Sequence, residues 1–350
     1  MVLGGARRTR VVVFFAITAV LAVALLVLSA GIGQFALTPG EVVGSILHKI
    51  GLPFGPVSAH PNADDVLWSV RFPRVTMALL VGAGLATAGA VMQGVFGNPL
   101  AEPGVIGVSA GAAVAACAVI ATGWASAWPW SPAAAAFAGG LATTLTVYVL
   151  ARSGGRTEVV TLVLTGIAVN AVCGAGIAFL TFVATRQARE QIVFWQLGSL
   201  NGTRWSYVAI IAPLVGVGVA AALGLGRKLD LLCLGERAAR HLGVRVERLR
   251  IVAIGVIALL AAGAVAFCGI ISFVGLVVPH LVRMVLGPAH RLLIAGSVLG
   301  GGALMLGADL IARNAVPYAD LPIGMLTALV GGPFFFWLLR RTRRTSGGWA

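Results

Sequence analysis

Three ionisable side chains fall inside long apolar runs of this sequence: His280, Arg283 and Asp309. Groups of this kind near the middle of a bilayer bind or relay ions in gradient-driven transporters. Their placement argues against that chemistry here. Arg283 and Asp309 lie toward the ends of their runs, where an arginine can reach the headgroup layer, and Asp309 stands four residues before Arg313, the spacing of an ion pair on one helix face. His280 follows Pro279 and reads as a packed histidine. Other reactive combinations are missing. The chain has no H-E-x-x-H pair for an intramembrane hydrolase and no G-x-x-x-x-G-K-[ST] loop to hold nucleotide phosphates. It therefore reads as a non-enzyme, and any work it does must be powered by another subunit. Cys117, Cys173, Cys233 and Cys268 show no C-x-x-C spacing, and three of them sit in apolar segments, so packing is expected of them and a metal site is not.

So few polar groups must be carried by elements that lipid surrounds. Of the 350 residues, 59% are apolar and 10% charged, with a mean hydropathy of +0.99, whereas soluble domains average about 25% charged residues. A hydrocarbon core of about 30 Å takes about 20 apolar residues to span. Runs of that kind cover 11–30, 75–95, 104–122, 132–150, 159–184, 206–226, 251–269, 271–287, 292–312 and 322–339, and they predict an all-α, multi-pass membrane protein with one domain over 1–350. An even number of crossings puts both termini on one side. All but seven of the Lys and Arg residues then fall on that side, so the +14 formal charge reads as the positive-inside bias of a cytoplasmic-membrane protein with cytoplasmic termini, not as a nucleic-acid surface. The N-terminal run is too long for a signal peptide and reads as an uncleaved first helix.

Glycine and alanine recur at helical spacing, in Gly82, Ala86, Ala90 and Gly94 and again in Gly324, Ala328 and Gly332, which predicts close helix packing. Two extramembrane segments stand out. The outer one, 31–70, carries the Pro/Gly-rich loop GLPFGPVSAHPNADD. The inner one, 227–250, is strongly basic. Within it, Gly235 and Gly243 bracket a short helix with Glu236 in its first turn, Arg240 and His241 in its last, and an apolar face of Leu234, Ala238, Ala239 and Leu242. That face needs cover, from a soluble partner or from the chain's own helix ends.

The motifs RFPRV, AGAVMQGVFGNPLAEPGVIGVSAGA, WQLGSLNGTRW, LGERAARHLGV, ISFVGLVVPHLVRMVLGPAHR, ADLIAR and DLPIGMLTALVGGPFFFWLLRR follow one another over 71–340. In that order they resemble the permease subunits of type II ATP-binding cassette importers for iron-siderophore complexes, haem and vitamin B12. The resemblance implies ten transmembrane helices, pairing with a second permease copy, two cytoplasmic ATPase subunits that hold ATP and Mg, and an extracytoplasmic substrate-binding protein. It implies no cofactor on this chain. The cargo would be a ferric siderophore or haem, with vitamin B12 as the alternative. Carried over residue by residue, docking of the binding protein falls on Arg71, Arg74 and Arg313, which could otherwise be headgroup anchors. A cytoplasmic gate falls on Asn98, Leu100, Thr157 and Glu158, where the first two could otherwise form a plain interhelical turn. Coupling to the ATPase falls on Leu234, Gly235, Glu236, Ala238, Ala239, Leu242 and Gly243, and the translocation path on Thr165, Asn170 and Gly174. Two departures stand out. CGII replaces the usual Gly-Pro turn before SFVG, and the 51–65 loop is longer than in compact members, with a His60 expected to be solvated or to touch a haem-bearing partner.

Overall fold

A computed structural model describes residues 5–33, 36–58, 60–153 and 156–345. Seven of its helices are long and apolar enough to cross a bilayer, and three shorter apolar helices accompany them. Together they coincide with the ten segments read from the sequence. In chain order the α-helices are α1 (Gly5–Gly31), α2 (Pro39–Lys49), α3 (Ala63–Val66), α4 (Phe72–Phe96), α5 (Val108–Ala121), α6 (Trp124–Ala127), α7 (Ser131–Leu150), α8 (Val159–Val183), α9 (Arg186–Leu197), α10 (Trp205–Leu232), α11 (Glu236–His241), α12 (Val246–Cys268), α13 (Val274–Leu286), α14 (His290–Asn314) and α15 (Ile323–Thr345). A hairpin of two-residue strands, β1 (Arg152–Ser153) and β2 (Arg156–Thr157), joins α7 to α8.

Helix α4 is the hub, packed against α10, α12, α13 and α14. All these helices are apolar, so hydrophobicity alone cannot select the central one; small residues do. A Cβ on Gly82 would run into the Gly301 carbonyl of α14, and one on Gly89 into the Gly275 carbonyl of α13. The Gly82–Ala86 ridge foreseen in the sequence is thus the α4–α14 seam. In contrast, α8 leaves most of its apolar surface uncovered, with Val160, Leu164, Val172 and Phe179 exposed.

The ends of the bundle depart from simple spans. At the end that carries α2, the expected loop contains regular structure. Thr38 and Glu41 form a reciprocal capping box at the start of α2, the Thr38 N–H donating to Glu41 Oε2 at 2.7 Å. Hydrogen bonds from the Thr38 backbone and hydroxyl hold the Glu41 carboxyl below its usual value. Helix α3 continues through a π turn at Leu67–Arg71 into α4. Helix α12 ends at Cys268, the following residues 269–273 are non-helical, with Gly269 at φ 69° and Phe273 at φ 68°, and α13 begins only at Val274. The eighth apolar run is therefore a short helix preceded by a non-helical connection packed on Gly198 and Gly324, and α13 meets α4 where Gly275 approaches Gly89. Helix α9, rich in polar residues and N-capped by Thr185, was not apparent as an element from the sequence.

Candidate functional sites at the two ends of the bundle

At the α2 end the three predicted docking arginines converge, but below the surface. Arg71 and Arg74 are buried, and the Arg313 side chain is nearly so. Arg71 Nη1 donates to the carbonyls of Ala30 at 2.6 Å and Gly31 at 2.9 Å. Arg313 Nη2 donates to the Ser29 carbonyl at 2.8 Å and to its hydroxyl at 2.5 Å. Both guanidiniums thus sit at the carbonyl end of α1, where the helix dipole favours positive charge. Asp309, with no exposed side-chain surface, pairs with Arg74 Nε at 2.9 Å and Arg313 Nε at 3.1 Å. The ion pair read at spacing four is therefore part of a larger cluster. Arg74 Nη1 also reaches Asp320 Oδ2 at 2.6 Å, and the Asp320 side chain is 33% exposed. Arg74 and Arg313 face the two carboxylates and Arg71 lies beside them on the α1 carbonyls, so these described groups together are net positive.

At the α11 end lie the predicted gate and coupling residues. Gly97, at φ 59°, ends α4, and Asn98 Oδ1 then accepts the Leu100 N–H at 2.9 Å, closing a compact turn. Asn98 is exposed and Leu100 half-buried. Thr157 is buried at the end of the hairpin, while Glu158 is exposed. Thr157 is gripped by α12: Glu247 accepts its N–H at 3.2 Å and its hydroxyl at 2.5 Å, and Arg250 Nη1 donates to its carbonyl at 2.7 Å. Tyr148 of α7 donates to Glu247 at 2.9 Å. Arg250 Nη2 pairs with Glu236 Oε1 of α11 at 2.5 Å, and Arg240 pairs with Glu236 Oε2 at 2.9 Å.

Helix α11 is bracketed by Gly235 at φ 97° and Gly243 at φ 82°. Its apolar face is divided, contrary to the sequence reading of one face awaiting one cover. Ala239 is fully buried against the chain itself and Ala238 is half-buried, while Leu234 and Leu242 are 64% and 58% exposed. The small side chain of Ala239 fits under the neighbouring helix ends, and the long leucines cannot. A charge at position 239 would therefore disturb the chain's own packing.

The predicted path residues share α8. Gly174 is exposed, Thr165 half-buried, and Asn170 turns inward to donate from Nδ2 to the Gly104 carbonyl at 3.2 Å. Several polar groups escaped the sequence reading. Glu102 Oε1 accepts the Phe273 N–H at 3.0 Å and so holds the start of α13. Gln93 donates to the Leu276 carbonyl and accepts from Arg283. Asp230 accepts both the backbone N–H of His290 at 2.8 Å and a contact from its ring nitrogen at 2.7 Å. Glu247 and Arg250 had a legible signal, an acid and a base three apart at a helix start; the long-range partners had none. Among the described residues, no three His, Cys, Asp or Glu side chains converge as a metal site would require.

Comparison with known proteins agrees in scale with this architecture. A profile of the FecCD transport family matches residues 9–341. The cobalamin import system permease protein of Halobacterium salinarum is 39% identical over 95% of this chain and 96% of its own length. The hemin transport system permease protein of Yersinia pestis is 40% identical, covering 82% of this chain and 88% of its own. The Fe(3+)-citrate import system permease protein of Bacillus subtilis is 36% identical over 93% of each. A solved inward-facing metal-chelate type ABC transporter superposes with a TM-score of 0.82 at 32% identity, covering 94% of this chain and 99% of that one. With ten apolar helices in the expected order and matches spanning nearly their whole length, the chain belongs to the FecCD transport family.

Proposed function

We propose that this chain is the membrane permease of an ATP-driven importer of an iron chelate, a ferric siderophore or haem, working by alternating access in the cytoplasmic membrane with both termini inside. One observation carries the reading. At the arginine-rich end of the bundle a rigid short helix is seated by Ala239 and presents Leu234 and Leu242 to the aqueous phase, a surface suited to a soluble ATPase that binds ATP and Mg. Two ATPase subunits, a second permease copy against the uncovered face of α8, and an extracytoplasmic binding protein complete the assembly. Vitamin B12 remains the alternative cargo, since relatives named for cobalamin, hemin and ferric citrate match at similar identity. Selectivity then resides chiefly in the binding protein, and the small apolar residues of α8 offer a bulky solute a smooth wall around Thr165, Asn170 and Gly174.

In this reading Arg71, Arg74 and Arg313 form the positive seat for acidic groups of the binding protein. Asp320, the partly exposed acid on Arg74, is the carboxylate such a group would displace. Asn98 and Leu100, with Thr157 and Glu158, close the cytoplasmic end. The test is uptake by proteoliposomes holding the permease, its ATPase and its binding protein, with ferric siderophore, haem and cobalamin offered separately. ATP-dependent uptake of an iron chelate is expected. Uptake that persists with a hydrolysis-deficient ATPase and follows an ion gradient would replace this reading with a secondary transporter.

A further inference from the structure

The α11 end contains a bridge that the roles above leave unused. Arg250 lies on the second turn of α12 and is buried, and its two Nη atoms reach different elements: the Thr157 carbonyl of the hairpin and the Glu236 carboxylate of α11. Glu247, three residues earlier, takes the N–H and the hydroxyl of the same threonine. Thr157 is thus held through its N–H, carbonyl and hydroxyl, all by side chains of α12. Two residues later, at Val159, α8 begins. A movement of α11 that carries Glu236 along is therefore delivered through a short rigid chain of bonds to the first turn of α8.

We propose that Arg250 is a positioning residue that transmits displacement of α11 to the 152–157 hairpin and through it to α8, with Glu247 keeping the hairpin seated. The proposal rests on the reading that α11 meets the ATPase. The residue type suits the task. A guanidinium is a planar fork whose two ends can bind two partners at a fixed angle, whereas a lysine ammonium on a flexible stem is a single point charge. Glu236 also holds Arg240 across one turn of α11, so the carboxylate that Arg250 grips is itself fixed to its helix. Among the described residues, Tyr148 and Thr157 both meet Glu247, and Arg250 carries the link on to Glu236.

The test uses the whole importer in proteoliposomes. Arg250→Gln is expected to co-purify with the ATPase and to hydrolyse ATP at the parent rate, while cargo moved per ATP falls about tenfold, within the roughly 5–150-fold span of coupling between two sites. Arg250→Lys should do no better, and Glu247→Gln should show a smaller loss in the same ratio. Because transport is divided by hydrolysis in the same vesicles, simple loss of folded protein does not move this readout. An unchanged ratio in Arg250→Gln, or full rescue by lysine, overturns the proposal. The docking reading has its own control: Leu234→Glu with Leu242→Glu should lose the ATPase. If it does and the Arg250 ratio is unchanged, only the link fails; if it does not, the reading beneath fails. Should the Arg250 variants not fold, spin labels at positions 152 and 237 in a Cys233→Ser chain provide the measurement. The 152–237 distance should stay constant between nucleotide-free and ATP-bound states while the 237–237 distance across the two copies changes. A variable first distance or a constant second one overturns the link.

Discussion

Both ends of the bundle hold an ionic cluster built on arginines, yet the two are made for different loads. At the α2 end Arg71, Arg74 and Arg313 join the ends of three spanning helices, α1, α4 and α14, around an Asp309 with no exposed surface. At the α11 end Arg250 and Glu247 join one spanning helix to two small peripheral elements, α11 and the hairpin, and the Glu236 side chain is 42% exposed. The first arrangement locks the frame, because removing a charge from it strands its partners in a dry layer. The second ties two peripheral elements to α12 through a buried arginine, so an element at the margin moves with its neighbour, and at Glu236 the link borders water. Buried charge serves as structure where its partners belong to spanning helices and as linkage where one partner lies on a peripheral element.

The comparison can be broken by substitution, with effects expected to fall in the following order. Asp309→Asn leaves two buried guanidiniums without their shared counter-charge and should cost about 3–5 kcal/mol. The expected outcome is loss of a monodisperse permease in detergent gel filtration, and a well-folded variant with unchanged thermal unfolding would remove the framework role from this cluster. Arg71→Ala deprives the Ala30 and Gly31 carbonyls of a charged donor, with an expected cost of about 1–3 kcal/mol. Faster hydrogen exchange near the end of α1 should accompany it, together with weaker capture of the binding protein.

Smaller effects belong to the other end. Thr157→Val removes the hydroxyl bond to Glu247 but keeps the carbonyl that Arg250 holds, so it should cost about 1 kcal/mol and lower cargo moved per ATP less than Arg250→Gln does. A collapse of that ratio would shift the weight from Arg250 to Glu247. Leu234→Glu with Leu242→Glu alters two exposed positions and should change unfolding by no more than about 0.5 kcal/mol while abolishing ATPase co-purification. A marked drop in stability would mean that the two leucines pack on the bundle after all. Salt offers a further contrast: the half-exposed Glu236–Arg240 pair should weaken with ionic strength, and the Asp309 pairs should not.

The sequence alone determined that the chain lies in a membrane, how many apolar elements it has, and where the turn and the short glycine-bracketed helix fall. Those properties are local: a run of apolar residues, a Gly-Asn-Pro triplet and an acid at the start of a helix with bases at its end each act through the backbone within a few residues. The small-residue ridge on α4 was equally legible, since Gly82 and Ala86 share a helix face whatever they pack against. Which helix becomes the hub was not, because every spanning segment is apolar and the choice follows from the Gly82–Gly301 and Gly89–Gly275 approaches between distant parts of the chain. The same holds for the charges. Arg71 and Arg74 read as rim residues from their place before an apolar run, and only the folded arrangement turns them inward, because the carbonyl end of α1 and the carboxylate of Asp309 supply bonds that water would otherwise provide. Glu102 reaches Phe273 and Arg250 reaches Thr157 across long stretches of sequence. Such partners are decided by tertiary structure, since a buried polar group must find its complement wherever packing brings one within about 3 Å.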